Sequence, residues 1–139
     1  MKFLIVDDDF DSRKLLQKIL HPYGYCDVAV DGEEGVEAFR AALKENDPYN
    51  LISLDILMPN MDGQECLREI REIEKEMGVQ PDQLVKVVMI TGLDDSQEVH
   101  DAFFLGDATA YIVKPIRKQI LLDEIRSLGL DLQAIEPKS

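Results

Sequence analysis

The chain has 139 residues, 45% hydrophobic and 31% charged, with only 8 Gly and 6 Pro, which excludes a disordered or low-complexity chain and fits one domain with a single core. Its formal net charge of −13 argues against a nucleic-acid partner, because binding a phosphate backbone requires Lys and Arg to displace counterions. No apolar run approaches the roughly 18 residues of a membrane span and the N-terminus lacks the regions of a signal peptide, so no membrane partner is expected and the expected compartment is the cytoplasm.

Short apolar runs alternate with longer segments of helical period. Lys2 to Val6 predicts a first strand and Asp11 to Leu20 a first helix, which Pro22 follows. Cys26 to Val30 predicts a second strand ending at Asp31-Gly32, which reads as an ordinary turn; Glu33 to Glu45 is a second helix, followed by Asp47-Pro48. Leu51 to Leu54 is a third strand and Gly63 to Met77 a third helix, in which REIREIEKE reads as a solvated face and after which Gly78 to Gln83 form a loop. Val85 to Ile90, Ser96 to Leu105, Ala110 to Val113 and Arg117 to Leu128 complete the series as strand, helix, strand and helix, with Gly106 and Gly129 where helix C-caps are expected. Residues 129–139 read as a short tail.

This alternation predicts an α/β fold: a doubly wound, five-stranded parallel sheet with five helices, order 2-1-3-4-5, in one domain spanning residues 1–128. The central runs LIV, LISL and VKVVMI are nearly all apolar, as strands covered on both faces should be. Cys26 and Cys66 have no CxxC or Cys/His spacing and are expected to be reduced thiols. His21 and His100 stand far from a second ligand and are assigned neither a metal nor a phosphoryl group.

Ligand sites of open parallel sheets form outside the carboxyl ends of the strands. There the first strand delivers Asp7, Asp8 and Asp9, the third Asp55, the fourth Thr91-Gly92 and the fifth Lys114-Pro115. Like charges about 4 Å apart repel by roughly 4 kcal/mol at an effective dielectric of about 20. A hard cation removes that repulsion, and Mg²⁺ suits a set of two or three carboxylates while keeping waters and bridging a phosphate. A further carboxylate, a hydroxyl and an ammonium make an aspartyl nucleophile with two donors for phosphoryl oxygens.

LIVDDD, SLDILMPNMDG, VMITG and YIVKP, at the ends of successive strands, resemble the receiver domain of two-component response regulators, closely so its single-domain, chemotaxis-type (CheY-like) members on the flavodoxin-like fold. Each piece alone recurs by chance, whereas the four in this order are specific. The resemblance implies Asp55 as phosphoacceptor. It implies Mg²⁺ held by Asp8, Asp55 and the backbone carbonyl of Leu57, with Asp7 acting through a metal-bound water. Lys114 would pair with the phosphoryl group and Asp55, Thr91 would hydrogen-bond a phosphoryl oxygen, and Tyr111 would be the switch aromatic, with core covering as its plainer role. Leu57 and Leu93 match positions that tune phosphoryl lifetime; being apolar, they imply a state that is not especially short-lived. Pro59 and Asp62-Gly63 resemble the loop that holds the acceptor's backbone, and Lys114-Pro115 resembles a cis peptide. Asp9 and Asp11 match no ligand role and read as helix-start charges.

The implied function is phosphorelay signalling: a histidine kinase or phosphotransfer protein donates the phosphoryl group, and the face made by the predicted fourth helix, fifth strand and fifth helix changes its affinity for a protein target. The domain is not expected to be a turnover enzyme, although it would assist its own phosphorylation and dephosphorylation. Two rivals share the fold. A haloacid-dehalogenase-type phosphatase needs DxD after the first strand, which Asp7-Asp8-Asp9 satisfies, but Phe10-Asp11 replaces the small and β-branched residues that should follow. An FMN binder needs phosphate donors where three Asp residues would repel a phosphate. A receiver serving only as a non-phosphorylated interaction module is the third alternative.

Overall fold

The computed structural model describes residues 1–56, 58, 61–92 and 110–133. The strands are β1 (Lys2–Val6), β2 (Tyr25–Ala29), β3 (Leu51–Asp55), β4 (Lys86–Thr91) and β5 (Ala110–Val113). All pair in parallel in the order β2-β1-β3-β4-β5, as expected. Four helices lie among the described residues: α1 (Phe10–Leu20), α2 (Gly32–Lys44), α3 (Gly63–Glu76) and α4 (Lys118–Ser127). The expected helix Ser96 to Leu105, with His100, Gly106 and Leu93, lies outside the described residues.

Side-chain alternation along the strands divides the core in two. Leu4, Val6, Ile52, Leu54, Val87 and Met89 face α2 and α3, meeting Phe39, Leu67 and Ile70. Phe3, Ile5, Leu51, Val88 and Ile90 face the other way, against Leu16, Leu20, Leu121 and Ile125 of α1 and α4. Both faces of β1, β3 and β4 are therefore covered, which explains their nearly all-apolar runs, with Ser53 of β3 the buried polar exception.

Helix starts carry their expected chemistry. Asp9, Asp31 and Asp62 are N-caps, each accepting from the backbone N–H three residues on, in Ser12, Glu34 and Glu65. Asp31-Gly32 is thus the start of α2 rather than an ordinary turn. Gly129, at φ 92°, follows α4 in the left-handed conformation expected of a C-cap glycine.

The REIREIEKE segment corrects a simple solvated-face expectation. Arg68, Glu69, Glu72 and Glu76 are exposed, but Glu74 is only 1% exposed. Its carboxylate accepts from Val85 N and from Arg71 Nη1, both at 2.7 Å, and Arg71 Nη1 also donates to Val85 O at 2.9 Å. The pair clamps the start of β4 to α3, satisfying backbone groups the loop would otherwise bury unpaired. Among the described residues, no helix is long and apolar enough to cross a membrane.

Candidate functional site

Sheet order decides which side chains meet at the carboxyl edge. β1 and β4 flank β3, so the residues ending these three strands converge around Asp55. Asp7, Asp55 and Thr91 are buried, at 1%, 5% and 1% exposure, while Asp8 is exposed. Carboxylate oxygens of Asp7, Asp8 and Asp55 all lie within 4.8 Å of one another. Lys114, just past β5, places Nζ 3.6 Å from Asp55 Oδ2.

Asp7 is fixed from several directions. Its N–H donates to Ala29 O at 3.1 Å, its carbonyl accepts from Arg13 Nη1 at 2.8 Å, and its Oδ1 accepts from Asp9 N at 2.9 Å. The other carboxylate oxygen, Oδ2, is buried and meets no hydrogen-bond partner among the described residues. Burial pushes the Asp7 carboxyl above the usual carboxylate range and the Asp8 charge adds to this, against the opposing pull of the Asp9 N–H, Lys114 and the neighbouring Asp55 carboxyl.

A buried oxygen without a donor, among three carboxylates, fits a hard divalent cation, which supplies both the missing partner and the missing charge. Mg²⁺ suits this donor set. Leu57, whose carbonyl was expected to join it, lies outside the described residues, as do Pro59 and Leu93.

Thr91 Oγ1 donates to Gly92 O at 3.1 Å, and Lys114 N donates to Thr91 O at 2.7 Å, extending the β4–β5 ladder one residue beyond the strand. The Lys114-Pro115 peptide bond is cis. Tyr111 stands opposite Met89 in the register and is 44% exposed. Gly63 N donates to Ile56 O at 2.7 Å, closing the loop from Asp55 to the Asp62 cap.

Arg13 escaped the sequence reading. Besides holding the Asp7 carbonyl, its guanidinium lies 5.8 Å from the centroid of the Phe10 ring, so one side chain ties the first turn of α1 to the acidic cluster. Its signal in the sequence is slight: an Arg in the first turn of the helix after an acidic strand end. Conversely, His21 sits exposed in the short turn after α1, remote from the carboxylates in sequence and topology. Cys26 and Cys66 are free thiols.

Comparison with known proteins gives a consistent picture. The profile of the response regulator receiver domain matches residues 3–126. The chain is 38% identical to the chemotaxis protein CheY of Treponema pallidum, over 91% of this chain and 81% of that protein. It is 35% identical to the probable transcriptional regulator ycf27 of Cyanophora paradoxa, over 91% of this chain but only 47% of that one, so it spans about half the length of such longer relatives. Among solved structures, it is similar to one from the CheX–CheY–BeF3–Mg²⁺ complex of Borrelia burgdorferi, with TM-score 0.78 and 32% identity, covering 94% of this chain and 90% of that one.

Proposed function

The chain belongs to the response regulator receiver family, and from that premise we propose that it accepts a phosphoryl group on Asp55 from the phosphohistidine of a histidine kinase or phosphotransfer protein, in a Mg²⁺-dependent reaction that alters its affinity for a protein target. The observation that carries this proposal is the position of Asp55: buried, within 4.8 Å of the Asp7 and Asp8 carboxylate oxygens, and 3.6 Å from the Lys114 ammonium.

Phosphoryl transfer has a loose transition state, so its catalysis is mainly positioning and charge stabilisation. An Asp55 oxygen attacks phosphorus in line with the breaking phosphorus–nitrogen bond of the donor, and the imidazole leaves with its electron pair. Lys114 neutralises charge on the phosphoryl oxygens, and Thr91 rotates its hydroxyl from Gly92 O to donate to one of them. Asp7, Asp8, Asp55 and the Leu57 carbonyl would hold Mg²⁺, which when bound offsets the charge of the carboxylates and of the incoming phosphate. Hydrolysis reuses the same residues with water as attacker.

The output is a population shift. Drawing Thr91 toward the phosphoryl group makes room for Tyr111 to turn inward from its partly exposed position, changing the surface around β5. A protein partner fits the CheX seen with the Borrelia CheY. In this proposal residues 1–128 form the receiver and residues 129–139 a tail, the domain is a phosphoacceptor rather than a turnover enzyme, and it works in the cytoplasm without nucleic acid or membrane.

The test is labelling by acetyl phosphate with and without Mg²⁺, in the parent and in Asp55→Asn. Labelling that depends on Mg²⁺ and disappears in the variant is expected; labelling that persists in Asp55→Asn, or moves to Asp7, sinks the assignment.

A further inference from the structure

The turn between β2 and α2 is built into the acceptor loop. Asp31 Oδ1 accepts from Glu34 N at 2.9 Å, and Glu34 Oε1 accepts from Val30 N at 3.1 Å, so the turn is fastened from both ends. Gly32, the first residue of α2, is buried there. A Cβ on Gly32 would stand 2.6 Å from the backbone oxygen of Met61 and 2.9 Å from Met61 Cβ. The Gly32 carbonyl in turn lies 3.6 Å from Cys66 Sγ, in the first turn of α3.

The same closeness recurs two residues beyond Met61. A Cβ on Gly63 would overlap the Asp55 carbonyl oxygen and lie 2.7 Å from Ile56 Cα. The backbone therefore runs in close contact from Gly32 to Met61, through Asp62 to Gly63, and onto Asp55 itself. Gly35, one turn further along α2, differs in kind: a Cβ there would meet methyl groups of Val6, at 2.9 Å and 3.1 Å. Methyl groups can turn aside. A backbone carbonyl moves only if its loop moves.

We propose that Gly32 is a positioning residue of the Asp55 site: seated without a side chain on Met61, the start of α2 sets the position of Met61 to Gly63 and so the aim of the Asp55 carboxylate. This rests on Asp55 being the acceptor. Gly32 touches no reacting atom. Its effect passes through Met61 and Gly63, and a small displacement suffices because in-line attack demands close alignment of nucleophile, phosphorus and leaving group.

The test compares Gly32→Ala with Gly24→Ala in the full chain. Gly24 precedes β2 at the opposite edge of the sheet, and a Cβ there would overlap the Met1 carbonyl oxygen, so this variant strains the backbone far from Asp55. Three quantities are read: melting temperature, the amide chemical shifts of Asp55, Ile56 and Gly63 without phosphodonor, and the rate of labelling by acetyl phosphate with Mg²⁺. Gly32→Ala is expected to move those amides and slow labelling by roughly tenfold or more, whereas Gly24→Ala lowers the melting temperature and does neither. Unmoved amides with parental labelling in folded Gly32→Ala, or equal slowing in Gly24→Ala, overturns the proposal. Should Gly32→Ala not fold, Met61→Gly replaces it, which removes the Cβ that Gly32 is seated against, with the same shifts and slowing expected and their absence equally decisive. A parent chain that takes no label defeats the acceptor assignment instead, while the amide shifts still decide whether Gly32 steers Asp55.

Discussion

Lys114 Nζ approaches Asp55 Oδ2 to 3.6 Å although the two residues end strands that are not neighbours, since β4 lies between β3 and β5. The long Lys side chain crosses over the end of β4, where Thr91 sits, so carboxylate, hydroxyl and ammonium gather at one edge of the sheet. Lys114 remains 34% exposed while the Asp55 side chain is 7% exposed, which separates its chemical role from its structural one.

Lys114→Ala should therefore cost little stability, under ~1 kcal/mol, as partly exposed ion pairs do. Its effect on labelling of Asp55 should be far larger, on the order of 100-fold, because an aligned cation is lost where charge must be stabilised. Thermal melts and acetyl phosphate labelling on one preparation check both; a large stability loss with near-parental labelling would contradict the separation.

Carboxylate crowding predicts an opposite trade at Asp7. Unit charges 4.8 Å apart repel by ~3 kcal/mol at an effective dielectric of about 20. Asp7→Asn keeps an oxygen for the Asp9 N–H and turns the donorless Oδ2 into an amide that can donate to Asp55. In EDTA the variant should melt a few degrees above the parent, a gain of roughly 1 kcal/mol. Mg²⁺ should raise the parent's melting temperature and move the variant's much less, as paired melts with and without the ion will show.

Glu74 offers the contrasting case of a charge that stabilises without serving the site. Removing it leaves Val85 N–H and the Arg71 guanidinium without its carboxylate at the start of β4, a change worth ~3 kcal/mol. Urea unfolding of Glu74→Ala should show that loss, with labelling of the folded protein at the parental rate. A slowed reaction would mean the clamp also shapes the carboxyl edge of β4.

The thiols should be unreactive. Burial pushes Cys26 up to about 11, with the Asp27 charge adding to it, and burial pushes Cys66 up to about 12. A raised thiol pKa means less thiolate below it, so at pH 8 Cys26 should carry ~100-fold less thiolate than a thiol at 9.0. Iodoacetamide should modify the native chain slowly, faster as pH rises toward 11, and rapidly in urea. Fast modification of the native chain at pH 8 would show a more open strand β2 than the fold describes.

Much of this was legible because local and global signals agree. β1 (Lys2–Val6) and β5 (Ala110–Val113) match their expected ranges, β3 runs one residue longer, to Asp55, and β2 and β4 are each shifted by one residue at both ends. Asp55 was legible because a carboxylate closing an apolar strand has few structural uses. Glu74 was not, since within REIREIEKE nothing distinguishes it from Glu72 or Glu76; only the path of the chain into β4 shows which Glu turns inward. Gly32 and Arg13 were hidden for a related reason. One acts through the absence of a side chain against a loop 29 residues away (61 minus 32), the other through a backbone carbonyl, and neither kind of partner leaves a pattern in residue types.

The sheet order has a temporal consequence. Asp7 and Asp8 emerge with the first strand to be made and Lys114 with the last, while Asp55 and Thr91 come between them. No chain shorter than 114 residues carries the whole set, and a nascent chain long enough to display Asp55 still lacks Lys114. On the proposed mechanism, a newly made chain therefore cannot receive a phosphoryl group before β5 docks on β4.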